Sequence, residues 1–317
     1  MKKVCLIGCG TIGRLHAKNL VGKVELSFHS RTQASAEALS RQCGGGQVVA
    51  SYADVLDSTV DAVLISSPPD AHRPQVVAAL AAGKGVLVEK PLCATADDLA
   101  AIGAAAATHP DALLMIAENY YYKPSLKLLK RIIQQGFIGQ VQQATLGKRF
   151  TQQATGWKSG YGALLEGGIH FVALGADLFA DAPQRVTAEF PKHQAGEPER
   201  NSIVRVEYPS GAELVLRYAW NAFSLTKGTF QHARILGTEG RIVFECNGLY
   251  VRLRGRRKRL YFPGVKDLMG YKGMMRDFLQ CLQEPGRQPY SDLARAERDL
   301  GIVFTAYEGL VQEPTQG

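Results

Sequence analysis

The 317-residue sequence has no C-x-x-C pair and no Cys/His cluster at metal-binding spacing, so nothing in it predicts a metal site. Its six cysteines, Cys5, Cys9, Cys43, Cys93, Cys246 and Cys281, are scattered. That pattern excludes a disulfide scaffold and reads as reduced thiols in a cytoplasmic protein. No apolar run approaches the ~20 residues that span a bilayer, so no membrane is expected. Lys2 and Lys3 precede an apolar stretch that could imitate a secretion signal, but Gly8 and Gly10 break it and no cleavage site follows. Internal repeats and low-complexity linkers are also missing. Acidic residues are absent between Glu245 and Asp267, where Arg252, Arg254, Arg256, Arg257, Lys258 and Arg259 crowd together. This run supplies much of the net charge of +8. Alternation around Gly255 reads as a hairpin. Its charges are either a solvated tip or a patch for a phosphorylated or acidic partner, and no nucleic-acid module surrounds them.

What is present begins at once. MKKVCLIGCGTIG runs from an apolar strand, 4–7, into Gly8, Gly10, Thr11, Ile12 and Gly13, and then into a helical pattern. A G-x-G-x-x-G turn between strand and helix reads as a dinucleotide site. Gly8 permits the tight turn, Gly10 leaves room for a pyrophosphate, and Gly13 lets helix and strand pack closely. Helix N–H groups and the helix dipole then face the phosphates.

Strand and helix signals alternate through residue 120, with strands at 24–28, 48–49, 62–65, 86–88 and 113–116. Pro74 suits the first turn of a helix, and Thr95 caps another. Repeated β–α units predict an α/β, doubly wound Rossmann domain over 1–120. From 121 to 317 the texture changes to longer alternating strands, at 141–150, 185–190, 202–208, 212–221, 230–236 and 241–245. With helices near 124–135, 163–179, 271–283 and 291–309, these predict an α+β domain with a large, mostly antiparallel open sheet. The segment 191–201 reads as a mobile surface loop.

The acidic residue that holds an NAD ribose belongs about 20 residues after the glycines, at the end of the second strand. Here Ser30 and Arg31 stand there. A hydroxyl and a guanidinium favour the 2′-phosphate of NADP, with NAD as the alternative. Glu89-Lys90-Pro91 follows a later strand, which places Lys90 at the carboxyl edge of the sheet, where such folds put their chemistry. In GYGALLEGGIH, Glu166 and His170 are four apart and share a helical face, as a proton-transfer pair would.

With GCGTIGRLHAKNL, SSPPDAHRPQVVAALAAGKGVLVEKPL, ENYYYKPSLKLLKRIIQQGFIGQV and GALLEGGIH in order, the sequence resembles the glucose–fructose oxidoreductase/inositol dehydrogenase (Gfo/Idh/MocA) family over nearly its whole length. The resemblance implies oxidation or reduction at a secondary alcohol of a sugar, cyclitol or related polyol. It also implies a homodimer or homotetramer formed through the C-terminal sheet. It assigns Lys90 to cofactor and substrate hydroxyl, and His170 to acid/base work. Ser66, Pro68, His72, Glu89 and Asn119 are placed by it near the cofactor. Glu166 stands where the family normally has Asp, and Tyr161 interrupts what is often a glycine run.

The function expected is therefore hydride transfer between a nicotinamide, NADP favoured, and a sugar-like secondary alcohol or its ketone. His170, Lys90 and Glu166 are the catalytic candidates, and Trp157, Lys158 and Tyr161 are candidate walls of the substrate pocket. Two alternatives remain: redox-assisted cleavage of a glycoside with retained NAD, and a non-catalytic regulatory protein that senses nicotinamide.

Overall fold

The computed structural model describes residues 1–312. Packing divides the chain into two compact units. One comprises Met1–Glu118 with Tyr271–Ala296, and the other comprises Asn119–Gly270 and the chain from Glu297.

The first unit runs β1 (Lys3–Ile7), α1 (Thr11–Leu20), β2 (Glu25–His29), α2 (Gln33–Gln42), α3 (Tyr52–Asp57), β3 (Ala62–Ile65), α4 (His72–Ala81), β4 (Gly85–Val88), α5 (Ala96–Thr108) and β5 (Leu114–Ile116). The strands form a parallel sheet in the order β2-β1-β3-β4-β5. All four residues of β3 are buried, as in a strand covered on both faces. The order reverses at β1: β2 lies on one side and β3 on the other. A ligand of such a sheet sits outside the carboxyl ends, at that switch point. Register makes this concrete. Ile7 pairs with Ile65, and Ile65 with Val88. The segments starting at Gly8, Ser66 and Glu89 therefore leave the same edge side by side.

One local expectation changes and another holds. The strand expected at 48–49 is only a single bridge, Val48 to Phe28, because the apolar run is too short and follows three glycines. Helix α4 begins at His72, after a 3-10 turn at Pro69–Ala71, and Pro74 lies in its first turn as expected. No intrahelical partner for that N–H is lost there.

The second unit contains α6 (Pro124–Gln134), β6 (Val141–Arg149), a π-helical turn (Leu164–Gly168), α7 (Ile169–Ala176), β7 (Arg185–Glu189), β8 (Asn201–Glu207), β9 (Glu213–Ala219), β10 (His232–Gly237), β11 (Gly240–Glu245), β12 (Val251–Arg254) and β13 (Lys258–Tyr261). These eight strands order as β13-β12-β11-β10-β6-β9-β8-β7. Every pairing is antiparallel except β6 with β9. Alternation sets the faces. Val204, Val206, Leu214, Leu216, Ile235, Ile242 and Leu253 are buried, and α7 packs against β6 and β9. Arg217, Arg234, Arg241, Arg252 and Arg254 are exposed on the other face.

Helix α8 (Tyr271–Gln283) packs with the first unit, against α1, through buried Met274, Met275 and Phe278. The single boundary expected near 120 therefore leaves out a return of the chain at 271–296. Nothing local in an amphipathic helix names the layer it will join. Helix α9 (Leu293–Gln312) closes the fold.

Candidate functional site

In the first unit the site begins at the turn after β1. Gly8 has φ +92°, a conformation that favours glycine. Its N–H donates to the His29 carbonyl at 2.9 Å, tying the end of β2 to the turn. Ser66 Oγ lies 2.7 Å from the Gly8 carbonyl and 3.1 Å from that of Ile7, locking the turn to the end of β3. A Cβ on Gly13 would come within 2.1 Å of the Gly8 oxygen, so only glycine fits there. A Cβ on Gly10 would meet no atom within 4 Å. Gly10 is the N-cap of α1, with no side-chain cap, and Gly10, Thr11 and Ile12 are exposed. An uncapped helix start beside open space is what a pyrophosphate requires, so the residues present fit a dinucleotide. Burial pushes the intervening Cys9 thiol up to about 11, which leaves it without nucleophilic character at neutral pH.

Ser30 is half-buried, and Arg31 is exposed without a side-chain partner among the described residues. No carboxylate stands at this position. At the β4 end, Glu89 is buried and its Oε1 lies 2.6 Å from Nε2 of the fully buried His16 on α1. Its other oxygen accepts the Lys90 N–H at 3.1 Å. Glu89 thus fastens α1 to the Lys90 segment, a structural task that leaves Lys90 half-buried at the edge. The Lys90–Pro91 peptide is cis.

Two expected cofactor residues turn inward. His72 is buried. Its Nδ1 lies 3.0 Å from the Pro91 carbonyl and Nε2 lies 2.8 Å from that of Ser67. With both ring nitrogens against backbone, it joins two edge loops and presents neither nitrogen to a ligand. Asn119, in the second unit, is buried and donates to the Met269 carbonyl at 2.6 Å. Pro68 is exposed beside Ser67.

In the second unit the candidates gather around the π-helical turn. Glu166 is buried, and its Oε1 accepts from Lys158 Nζ at 2.5 Å. His170, half-buried at the start of α7, stacks on Tyr120 with ring centroids 4.5 Å apart and planes at 15°. A shared face for Glu166 and His170 requires an α-helix through both. Glu166 lies inside the wider π turn and His170 in the α-helix just beyond it, so the 3.6-residue period does not set their relation. Trp157 is 42% exposed and meets Tyr161 edge-on at 5.9 Å. Lys158 Nζ lies 5.4 Å from the Trp157 ring centroid.

Several residues here escape a sequence reading. Tyr120 is buried between His170 and Lys123, whose Nζ lies 3.8 Å from its ring centroid. Glu199 is buried and accepts N–H bonds from Ala163 at 2.9 Å and Leu164 at 2.8 Å, and the Tyr307 hydroxyl at 2.6 Å. It pins the start of the turn. Gly162 is required there, since a Cβ would meet the Glu199 carboxylate at 2.3 Å. The aromatic crowding in NYYYK hinted at Tyr120, but nothing local marks Glu199, which lies in the segment read as a mobile loop. Among the described residues, no group of three His, Cys, Asp or Glu could hold a metal, and no helix is long and apolar enough to cross a membrane. The six cysteine thiols are free.

Comparison with known proteins follows the same lines. A family model described as "Oxidoreductase family, NAD-binding Rossmann fold" matches residues 2–117, and the GFO/IDH/MocA C-terminal domain matches 126–243. Trans-1,2-dihydrobenzene-1,2-diol dehydrogenase of Mus musculus is 31% identical over 160 residues, 49% of this chain and 47% of that protein. Inositol 2-dehydrogenase of Ralstonia nicotianae is 33% identical over 144 residues, 43% of this chain and 42% of that one. The matched stretch spans less than half the length of either relative. A solved structure of levoglucosan dehydrogenase, in complex with NADH and levoglucosan, superposes with a TM-score of 0.86 at 20% identity, covering 99% of this chain and 98% of that one. That likeness is one of fold. With both of its domain models matched in order over most of the sequence, the chain belongs to the Gfo/Idh/MocA family of oxidoreductases.

Proposed function

We propose that the chain is an NAD(P)-dependent oxidoreductase acting at a secondary alcohol, or the matching ketone, of a sugar, cyclitol or related polyol. NADP is the favoured cofactor. The bound nicotinamide supplies the hydride acceptor or donor. The Gly8–Gly13 turn holds the pyrophosphate through the free N–H groups of α1. Ser30 and Arg31 receive the 2′-phosphate, because a hydroxyl donor and an unpaired guanidinium attract a dianion that an acidic residue would repel. Lys90 polarises the reacting oxygen. An imidazole nitrogen of His170 takes the hydroxyl proton in oxidation and returns it in reduction. Glu166 and Lys158, with Trp157 and Tyr161, bind neighbouring hydroxyls and ring C–H faces.

The observation that carries this reading is His170. It is a half-exposed imidazole, held flat on Tyr120, in a turn whose other residues from Ala163 to Ile169 are buried. A histidine kept only for packing would be buried with its neighbours. The test is a panel of polyols, sugars and keto-sugars followed by nicotinamide absorbance, with NAD and NADP side by side. Turnover with NADP preferred is expected. Lys90→Met should lose turnover and keep NADP binding, and near-normal turnover in that variant would overturn the assignment. Faster turnover with NAD would overturn the reading of Ser30 and Arg31.

A further inference from the structure

Burial does little to hold the wall that carries Trp157, Lys158 and Tyr161. Its 3-10 turn, Gly156–Gly160, has no buried residue, and Trp157 is exposed. Polar ties must fix it instead. Some are local. Ser159 Oγ donates to the Gly156 carbonyl at 2.8 Å, and Lys158 Nζ donates to Glu166 at 2.5 Å. A tie from a distant part of the chain comes from Arg200, half-buried just before β8. Its Nη1 donates to the Tyr161 carbonyl at 2.8 Å, and its Nη2 donates to the Ser159 carbonyl at 3.0 Å. One planar guanidinium thus grips the chain on both sides of Gly160. A lysine ammonium, a point charge, does not reproduce that fork.

Arg200 acts from a firm base. Its carbonyl accepts the N–H of buried Trp220 at 2.8 Å, and its guanidinium lies 5.6 Å from that ring's centroid. The next residue, Asn201, opens the β8–β9 pairing, which runs unbroken to Glu207. The residue before it is Glu199, whose carboxylate takes the N–H groups of Ala163 and Leu164. Adjacent residues of opposite charge therefore address adjacent stretches of backbone. The anion takes the donors at 163 and 164, and the cation takes the acceptors at 159 and 161. Glu199 fixes the π-helical turn, and Arg200 fixes the wall that leads into it.

We propose that Arg200 is a positioning residue that sets how tightly the sugar-like substrate is held, by keeping Trp157, Lys158 and Tyr161 in their binding arrangement through the Ser159 and Tyr161 carbonyls. This rests on the reading that those three residues bind substrate. A wall fixed before the substrate arrives loses no binding energy to its own ordering. A loosened wall weakens ground-state and transition-state binding alike, so KM rises while kcat stays. His170 is outside this effect, because Tyr120 holds its ring.

The experiment compares wild type, Arg200→Lys and Arg200→Ala, each as the full chain, in two measurements. Hydrogen exchange without ligand should be faster across 151–161 in Arg200→Ala and unchanged across 201–207 and 213–219, which checks that the sheet is folded. Steady-state kinetics use the sugar or polyol that wild type turns over fastest with NADP. KM should rise about tenfold in Arg200→Ala, the size of a lost charge-assisted hydrogen bond, with kcat and NADP affinity unchanged. Arg200→Lys should fall between the two, since an ammonium still serves one carbonyl, and it carries both measurements if Arg200→Ala does not fold. Millimolar ethylguanidinium should restore the KM of Arg200→Ala. Unchanged exchange across 151–161, or a fall in kcat at constant KM, overturns the proposal. So does faster exchange in 201–207, which marks Arg200 as a residue of general stability. Absence of wild-type turnover on every sugar and polyol overturns the substrate reading, and this proposal with it. That failure is told apart because exchange across 151–161 still responds to Arg200→Ala.

Discussion

Glu199 shows how one side chain can hold a site it does not line. Burial raises its carboxyl above the usual range, against the lowering effect of the Tyr307 hydroxyl and the Leu164 and Ala163 N–H groups. The folded state thus favours the protonated form. The stability this provides is complete below the ordinary carboxyl pKa and declines as pH rises through the raised value. Glu199→Gln removes that decline. The melting-temperature gap between wild type and variant should be widest near pH 4 and narrow towards pH 7, and a gap constant with pH would contradict this. Gly13→Ala sets a Cβ against the Gly8 oxygen, which backbone bonds hold in place. It should destabilise by about 1–3 kcal/mol in urea unfolding and abolish nucleotide binding. Arg31→Ala should reduce the preference for NADP over NAD by about tenfold or more in kcat/KM, the size of a lost hydrogen bond to a charged group.

At the scale of elements, alternation separates two kinds of position on the same strand. Leu216 on β9 is buried beneath α7, while Arg217 next to it is exposed. Leu216→Ala should cost about 2–5 kcal/mol by chemical denaturation, and Arg217→Ala no more than ~0.5. The strands of this sheet were legible because period-2 alternation is local and one face is buried. The π-helical turn was not. At its start Glu199 and Tyr307, from remote parts of the chain, take the N–H groups of residues 163–165, contacts that no local pattern announces. A helix forms within 163–179 as expected, α-helical over Ile169–Ala176, and only Leu164–Gly168 is wound more widely, which is what changes how Glu166 and His170 are related. His72 has the same lesson. Its motif pointed to the cofactor, but its ring joins two loop carbonyls.

For the whole molecule, two separately packed units answer to two textures in the sequence, with 271–296 as the exception. If the first unit binds NADP in the native state alone, saturation reports on the folding of that unit. NADP at about a hundred times its Kd should stabilise that unit by ~2.7 kcal/mol, seen as a raised melting temperature, and NAD at the same concentration should do less. Lys90→Met should retain the shift, since the glycine turn and Arg31 are untouched.

The sequence by itself determined the Rossmann sheet, the open second sheet and the glycine turn that accepts a dinucleotide. Each of these is written in periodicity or in residues whose steric demands are local. Only the tertiary structure decided that α8 rejoins the first unit, that Glu89 pairs with His16, that Glu166 pairs with Lys158 and that His170 rests on Tyr120. It also decided which arginines of a continuous basic run share the exposed face of the second sheet. Those facts depend on which surfaces meet after the chain has folded, and separation along the chain carries no record of that.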